Sequence, residues 1–104
     1  MPQDFAEAVS WYREAAEEGN ADAQGSLGAA YRDGTGVPQD LVLAHMWLNL
    51  AASSSTENKQ QQYTSECEAL AARMTPQEVE EARVQAQMWR LKFVEVRLAR
   101  EALG

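Results

Sequence analysis

The sequence contains one cysteine and one histidine in 104 residues, and this scarcity excludes several classes of protein. A lone Cys67 cannot form an intramolecular disulfide, so a disulfide-stapled secreted domain is excluded and a reducing compartment is favoured. Neither Cys67 nor His45 has neighbours at the spacing of a zinc site. The glycine pair at 34–36 is too short for a phosphate-binding loop. We therefore expect no metal and no cofactor.

Long apolar runs and a basic, apolar leader are also missing. The longest apolar stretch is too short to span a bilayer, and the first residues do not have the pattern of a signal peptide. We expect a cytoplasmic protein with no membrane contact, although a fragment of a longer protein has the same features. Its composition, 45% hydrophobic and 24% charged, is typical of a single folded domain over residues 1–104.

Basic residues are few and unevenly placed. The formal net charge is −7. Residues 1–52 carry eight acidic groups against two arginines, whereas residues 83–100 carry five basic groups against one acid, Glu95. An acidic body repels phosphate, so nucleic acid is disfavoured as a partner. The basic segment is suited to an acidic surface, including that of a second copy.

An internal repeat is the strongest feature of the sequence. Seven residues recur at a constant offset of 36, namely Pro2/Pro38, Gln3/Gln39, Asp4/Asp40, Ala8/Ala44, Trp11/Trp47, Ala15/Ala51 and Ala16/Ala52. A fixed period of roughly 20 to 50 residues indicates a solenoid of stacked units. An ordinary amphipathic bundle, the alternative, requires no such register.

Each unit is predicted to be a helical hairpin. Residues 21–32 and about 41–53 have the apolar spacing of helices. Gly34 and Gly36 end the first helix, because glycine tolerates a left-handed backbone, and Asp40 caps the second. The preceding helix has the same start signal at Asp4 and closes near residues 19–20.

The remainder of the chain is predicted to hold two further helices. Residues 57–72 form one, and Thr75, Pro76 and Glu78 give a capping-box start to a long final helix. That helix has two apolar stripes: Val79, Ala82, Ala86, Trp89, Phe93 and Val96 on one, and Val84, Met88, Leu91 and Leu98 on the other. A helix with two apolar faces is buried on both or shared with a partner. The predicted fold is thus an all-α solenoid of about five helices.

The second unit resembles a known family, the Sel1-like repeat, a relative of the tetratricopeptide repeat. The matching positions are Ala21, Ala23, Gln24, Leu27, Gly28, Tyr31, Gly34, Gly36, Val37, Ala44, Trp47, Ala51 and Ala52. On this resemblance, residues 2–20 are the second helix of a partial repeat and residues 21–54 a complete repeat. Residues 55–104 are then a degenerate repeat with a C-terminal capping helix.

The resemblance implies a scaffold or adaptor that binds a protein or peptide and has no catalytic residues. Polar or amphipathic side chains on otherwise small-residue helices are the expected partner contacts: Tyr12, Gln24, Tyr31 and Asn49. Glu14, Glu17 and Glu18 form either a solvated face or a contact for a basic peptide. A terminal structural segment of a larger scaffold, serving self-assembly, remains an alternative.

The partial first unit leaves the face of Trp11 without its neighbouring helix. A buried tryptophan hides about 200 Å², which corresponds to about 5 kcal/mol, so we expect the face to be covered. In one interpretation the final helix of a second copy covers it, and the expected self-association residues are Trp11, Trp89, Phe93 and Val96. In the other, an upstream hairpin of a longer array does so.

A hydrolase is the alternative from another class of function. His45 is expected on the surface or rim of its helix, and Cys67 could approach it from the adjoining helix to form a thiol dyad. No third orienting group is evident in the sequence. The interaction module is therefore preferred.

Overall fold

The computed structural model describes residues 4–103, and every regular element in that range is an α-helix. The helices are α1 (Phe5–Glu17), α2 (Ala21–Asp33), α3 (Leu41–Ser54), α4 (Glu57–Ala71) and α5 (Pro76–Leu103). The predicted all-α solenoid with a long last helix is confirmed. Pro2 and Gln3, the first two residues of the repeat, lie outside the described range. No helix within residues 4–103 has both the length and the apolarity to cross a membrane.

Polar side chains begin the helices where the sequence predicts. The carboxylates of Asp4 and Asp40 each accept a hydrogen bond from the backbone N–H three residues ahead. At the start of α5, Thr75 and Glu78 form two reciprocal hydrogen bonds. The Glu78 N–H donates to Thr75 Oγ1 at 3.1 Å, and the Thr75 N–H donates to Glu78 Oε1 at 2.9 Å. These bonds satisfy N–H groups that a helix end leaves unpaired, so the boundaries are determined locally.

The loop between α2 and α3 contains two glycines with left-handed backbone conformations. Gly34 ends α2 with φ 70°, and Gly36 follows with φ 78°. A Cβ at Gly36 would lie 2.5 Å from the backbone oxygen of Phe5 and 3.0 Å from Val9 Cγ2. The loop therefore packs directly on α1 and joins the first repeat to the second.

Helix α3 lies at the centre of the stack, in contact with α2, α4 and α5. One apolar cluster connects it to α1, α2 and α5, and a second connects it to α4 and α5. The approach of α2 to α3 is close at Gly28, where a Cβ would meet Leu48 Cγ at 2.8 Å and the Ala44 carbonyl oxygen at 3.1 Å. Small residues at these contacts allow the layers to stack.

Helix α5 is about twice as long as each of the other helices. Its 28 residues extend over about 42 Å at 1.5 Å per residue. The radius of gyration, 14.1 Å, exceeds the roughly 13 Å of a compact globule of this size. The C-terminal half of α5 reaches the end of α1, where a Cβ at Gly19 would lie 2.9 Å from Phe93 Cζ. This reach brings α5 beside the C-terminal end of α1.

We expect Gly36→Ala to destabilise the fold by about 3 kcal/mol, combining a left-handed alanine with a clash against the backbone of α1. Urea unfolding followed by circular dichroism measures the change. Thr35→Ala, in the same loop, is the matched control and is expected to shift the midpoint little. Equal stability of the two variants would show that the loop does not pack on α1.

Candidate functional site: the α1–α5 trough

A surface depression runs along α1 and continues between the C-terminal end of α1 and the C-terminal half of α5. Its first section, of about 790 Å³, is lined by Ser10, Trp11, Arg13, Glu14, Ala15, Glu17 and Glu18. Its second section, of about 560 Å³, is lined by Glu17, Glu18, Trp89, Lys92, Phe93, Val96, Arg97, Arg100 and Glu101. Because Glu17 and Glu18 belong to both sections, the two form one continuous surface, which we name the α1–α5 trough.

Aromatic rings form the floor of the second section. Trp89 and Phe93 are stacked with centroids 4.9 Å apart and planes 12° from parallel. Trp89 also meets the buried Trp47 edge-on at 5.9 Å. The Arg97 guanidinium lies 5.9 Å from the centroid of the Phe93 ring, within cation–π range. The floor is therefore fixed to the core through Trp47.

The two walls of the trough carry opposite charges. Acidic side chains line the α1 wall, and basic side chains line much of the α5 wall. One ion pair connects the walls: Arg100 Nη1 lies 3.6 Å from Glu18 Oε2, with both side chains about two-thirds exposed. An ion pair so exposed contributes little to stability, so a ligand can displace it.

The repeat shows which kind of element the α1 wall is suited to hold. Trp47 is 5% exposed and belongs to the cluster that includes Ala23 and Leu27 of α2, whereas its counterpart Trp11 is 66% exposed. Among residues 4–103, no helix lies beside Trp11 as α2 lies beside Trp47. The α1 wall therefore has the form of an unoccupied helix-packing surface.

The comparison with protein families agrees with this repeat geometry. The Sel1 repeat model matches residues 1–20 and 21–55, just over half of the chain. The chain belongs to the Sel1 repeat family. No curated protein matches the sequence. Sel1 repeats generally mediate protein–protein interaction, and the family is a non-catalytic module.

The four residues predicted for self-association all line the trough of this Sel1 repeat protein. Trp11 lies in the first section, and Trp89, Phe93 and Val96 lie in the second. Trp89 and Phe93 are partly buried, because they pack against Trp47 and Gly19 of their own chain. Self-association through these residues remains a prediction.

The residues predicted to contact a partner line neither section of the trough. Tyr12 is exposed on α1. The Tyr31 hydroxyl accepts a hydrogen bond from Arg13 Nη2 at 2.7 Å, and Asn49 Oδ1 accepts one from Arg90 Nη2 at 3.2 Å. Tyr31 and Asn49 thus already have partners within the chain, between α1 and α2 and between α3 and α5.

Gln24 is not available for contact, which corrects the prediction made for it. Its side chain is fully buried, and Nε2 donates to the Ala16 carbonyl oxygen at 3.1 Å. That oxygen is in the last turn of α1 and also accepts a hydrogen bond from the Gly19 N–H at 3.0 Å. The polar residue therefore joins two helices of adjacent repeats.

His45 is buried, so the prediction of a surface or rim position was wrong. It is 6% exposed, because α4 and α5 close over that side of α3, and Nδ1 has no hydrogen-bond partner among residues 4–103. Burial lowers the pKa of His45, and the nearby Arg83 lowers it further. His45 is therefore neutral at pH 7.

Cys67 lacks the properties of a catalytic thiol. Its Sγ lies 3.9 Å from the His45 backbone oxygen, and both residues line a cavity of about 320 Å³ between α3, α4 and α5. Burial raises the pKa of Cys67 to about 12, with Glu66 and Glu68 acting in the same direction. The sulfur is therefore expected to be protonated at neutral pH, and a protonated thiol is a poor nucleophile. Within residues 4–103 no three His, Cys, Asp or Glu side chains group as metal ligands.

We expect the free energy of unfolding to fall as the pH drops below about 6.5, the ordinary histidine pKa. The folded-state pKa of His45 is depressed, so below that pH the unfolded state binds more protons and is favoured. Urea titrations between pH 7.5 and 5 measure the slope. His45→Asn removes the titrating group and is expected to reduce the slope; an unchanged slope would show that His45 is not buried as a neutral ring.

We expect Cys67 to react with iodoacetamide at pH 7.5 more slowly than an exposed cysteine, because almost no thiolate is present. Gln61→Cys in a Cys67→Ser background, on the exposed surface of α4, supplies the reference rate. Mass spectrometry follows the alkylation. A faster reaction at Cys67 than at position 61 would restore the thiol-dyad hypothesis.

Proposed function

We propose that this Sel1 repeat chain is a scaffold or adaptor without catalytic activity that holds a helical segment of a partner protein in the α1–α5 trough. The observation that carries the proposal is the contrast between the equivalent tryptophans, buried Trp47 and exposed Trp11. In the second repeat this surface packs a helix, α2. A helix is therefore the element whose shape suits the equivalent surface around Trp11 on α1, which no described helix covers.

The composition of the trough favours an amphipathic helix. Trp11, Trp89 and Phe93 offer aromatic surface for apolar side chains of the partner, and large aromatic residues dominate most protein interfaces. Acidic groups lie along α1 and basic groups along α5, so the partner helix is expected to carry basic side chains on one flank and acidic ones on the other.

The basic groups of α5 do not by themselves select a second copy as the occupant of the trough. The basic segment 83–100 was expected to meet the acidic N-terminal half of another molecule. Within the described chain Arg100 already pairs with Glu18 of α1, and Arg90 donates to Asn49 Oδ1 and Ser53 Oγ of α3. The Arg100–Glu18 pair is exposed enough for either a partner helix or a second copy to displace it, so the charges do not distinguish the two occupants.

We also retain, as part of the proposal, the division into a partial repeat (2–20), a complete repeat (21–54) and a degenerate repeat with a capping helix (55–104). The contact between Trp47 and Trp89 supports it, because α5 covers the second repeat at that point. The single cysteine favours a reducing compartment, and we place the interaction in the cytoplasm.

The test places the photoreactive residue benzoylphenylalanine at position 11, with position 61 on α4 as the control. A partner crosslinked at position 11 and not at 61 is identified, purified and titrated by calorimetry. Trp11→Ala is expected to weaken its Kd by about 30-fold, as for a central interface tryptophan, and Gln61→Ala by less than about twofold. Equal affinity of the wild type and Trp11→Ala would exclude the trough as the binding surface.

A further inference from the structure

The packing surface around Trp47 and its copy around Trp11 differ in two of their three central side chains. On α3 these side chains are buried in one apolar cluster with residues of α1, α2 and α5, and they are Met46, Trp47 and Leu50. The residues 36 positions earlier, on α1, are Ser10, Trp11 and Glu14. All three line the first section of the trough. The copy on α1 therefore keeps the aromatic ring and replaces two apolar side chains by polar ones.

The replacement of leucine by Glu14 has the larger physical consequence. The counterpart Leu50 is 1% exposed, so a helix that covered α1 as α2 and α5 cover α3 would remove Glu14 from water too. A carboxylate taken out of water with no cation beside it is strongly unfavourable. The side chain of Glu14 takes part in no salt bridge among residues 4–103. An occupant of the first section must therefore bring its own basic group to Glu14.

Basic side chains of a helix already meet the acidic groups at the other end of this wall. Glu18 follows Glu14 by four residues, and its carboxylate lies 3.6 Å from Arg100 Nη1 of α5. Arg97 of α5 lines the same second section as Glu18. No residue of α5 that the structure describes lines the first section. The acidic wall is thus complementary to a basic helix along its length, and at Glu14 that helix is still to be supplied.

The hairpin of the second repeat indicates where the basic group lies on such an occupant. Helices α2 and α3 are joined by a short loop and run in opposite directions. A Cβ at Gly28 would lie close to Leu48 Cγ and the Ala44 carbonyl oxygen. Ala23, five residues before Gly28, is therefore near the level of Leu50, and both belong to one cluster. In a helix placed on α1 as α2 is placed on α3, the position equivalent to Ala23 lies near Glu14.

We propose that Glu14 selects the occupant of the trough, and that this occupant is a basic amphipathic helix of a partner protein. Such a helix places a lysine or arginine opposite Glu14 and an apolar side chain against Trp11. This selection rests on the proposed function and adds the chemistry of the partner. It rejects a helix like α2, whose contacts in the cluster are Ala23, Leu27 and Ala30, because that helix would leave the covered carboxylate unpaired.

The test compares two synthetic peptides, each held helical by a side-chain crosslink on its outer face. One has the sequence of residues 20–35, and the other has the same sequence with Ala23→Lys. Fluorescence anisotropy measures the Kd of each peptide. The wild type is expected to bind the lysine peptide at least about tenfold more tightly than the unmodified one, because the ammonium group pairs with Glu14.

Two protein variants test whether Glu14 is the cause of this preference. Glu14→Leu gives α1 the residue that α3 has at position 50, and it is expected to reverse the preference in favour of the unmodified peptide. Glu80→Leu is the matched control, because Glu80 is exposed on α5 and lines neither section of the trough. It is expected to keep the preference of the wild type. Circular dichroism of each variant confirms that the helices are retained.

Several results would overturn the selection by Glu14. They are equal binding of the two peptides by the wild type, no binding of the lysine peptide up to about 1 mM, and an unchanged preference in Glu14→Leu. An unchanged Kd for the lysine peptide in Trp11→Ala would place its binding outside the trough. A dimer in sedimentation that Glu14→Leu dissociates would identify a second copy as the occupant instead. The proposed function can survive each of these results, because crosslinking at position 11 tests it separately.

Discussion

The edge-on contact between Trp47 of α3 and Trp89 of α5 is the interaction on which the rest of the structure depends. Helix α5 packs chiefly on α3, and the fully buried Ala82 and Ala86 let the two helices approach closely. Trp89 fills the wider gap beyond them and supports the ring of Phe93 in turn. Without this contact the C-terminal half of α5 would not be held beside α1, and the trough would lose its second wall and its floor.

The repeat explains why the packing surface around Trp47 on α3 is covered and the equivalent surface around Trp11 on α1 is exposed. The same pattern of alanines and a tryptophan occurs twice, 36 residues apart, and each copy presents a face shaped for a neighbouring helix. In the second copy α2 and α5 cover that face, whereas in the first the described chain leaves Trp11 two-thirds exposed. In the proposed function, a helix of the partner would continue the packing of the repeat at α1.

The helices and their first residues could be predicted because the interactions that determine them join residues close together in the sequence. Asp4, Asp40 and the Thr75–Glu78 pair cap helices through bonds that reach only three residues along the chain. The period of 36 then fixes which helices stack, and the family model supports the assignment over residues 1–55.

The candidate site was only partly predictable, because it depends on which face of each helix is covered by distant elements. The helical wheel placed His45 near solvent, but α4 and α5 enclose that side of α3. Gln24 looked like a surface contact because it is polar, whereas it bonds to the end of α1. The two apolar stripes of α5 were visible in the sequence. That Ala82, Ala86 and Trp89 pack on the core and the Leu91 stripe faces outward follows only from how α5 lies on α3 in the folded chain.

The most direct test of this account is fluorine NMR of the protein labelled with 5-fluorotryptophan, with each signal assigned by a Trp→Phe variant. The resonance of Trp11 is expected to show a large shift between H₂O and D₂O in the free protein, and that of Trp47 almost none, because Trp11 is 66% and Trp47 5% exposed. A Trp11 signal as protected as that of Trp47 would show that the trough is already covered, and would contradict the account.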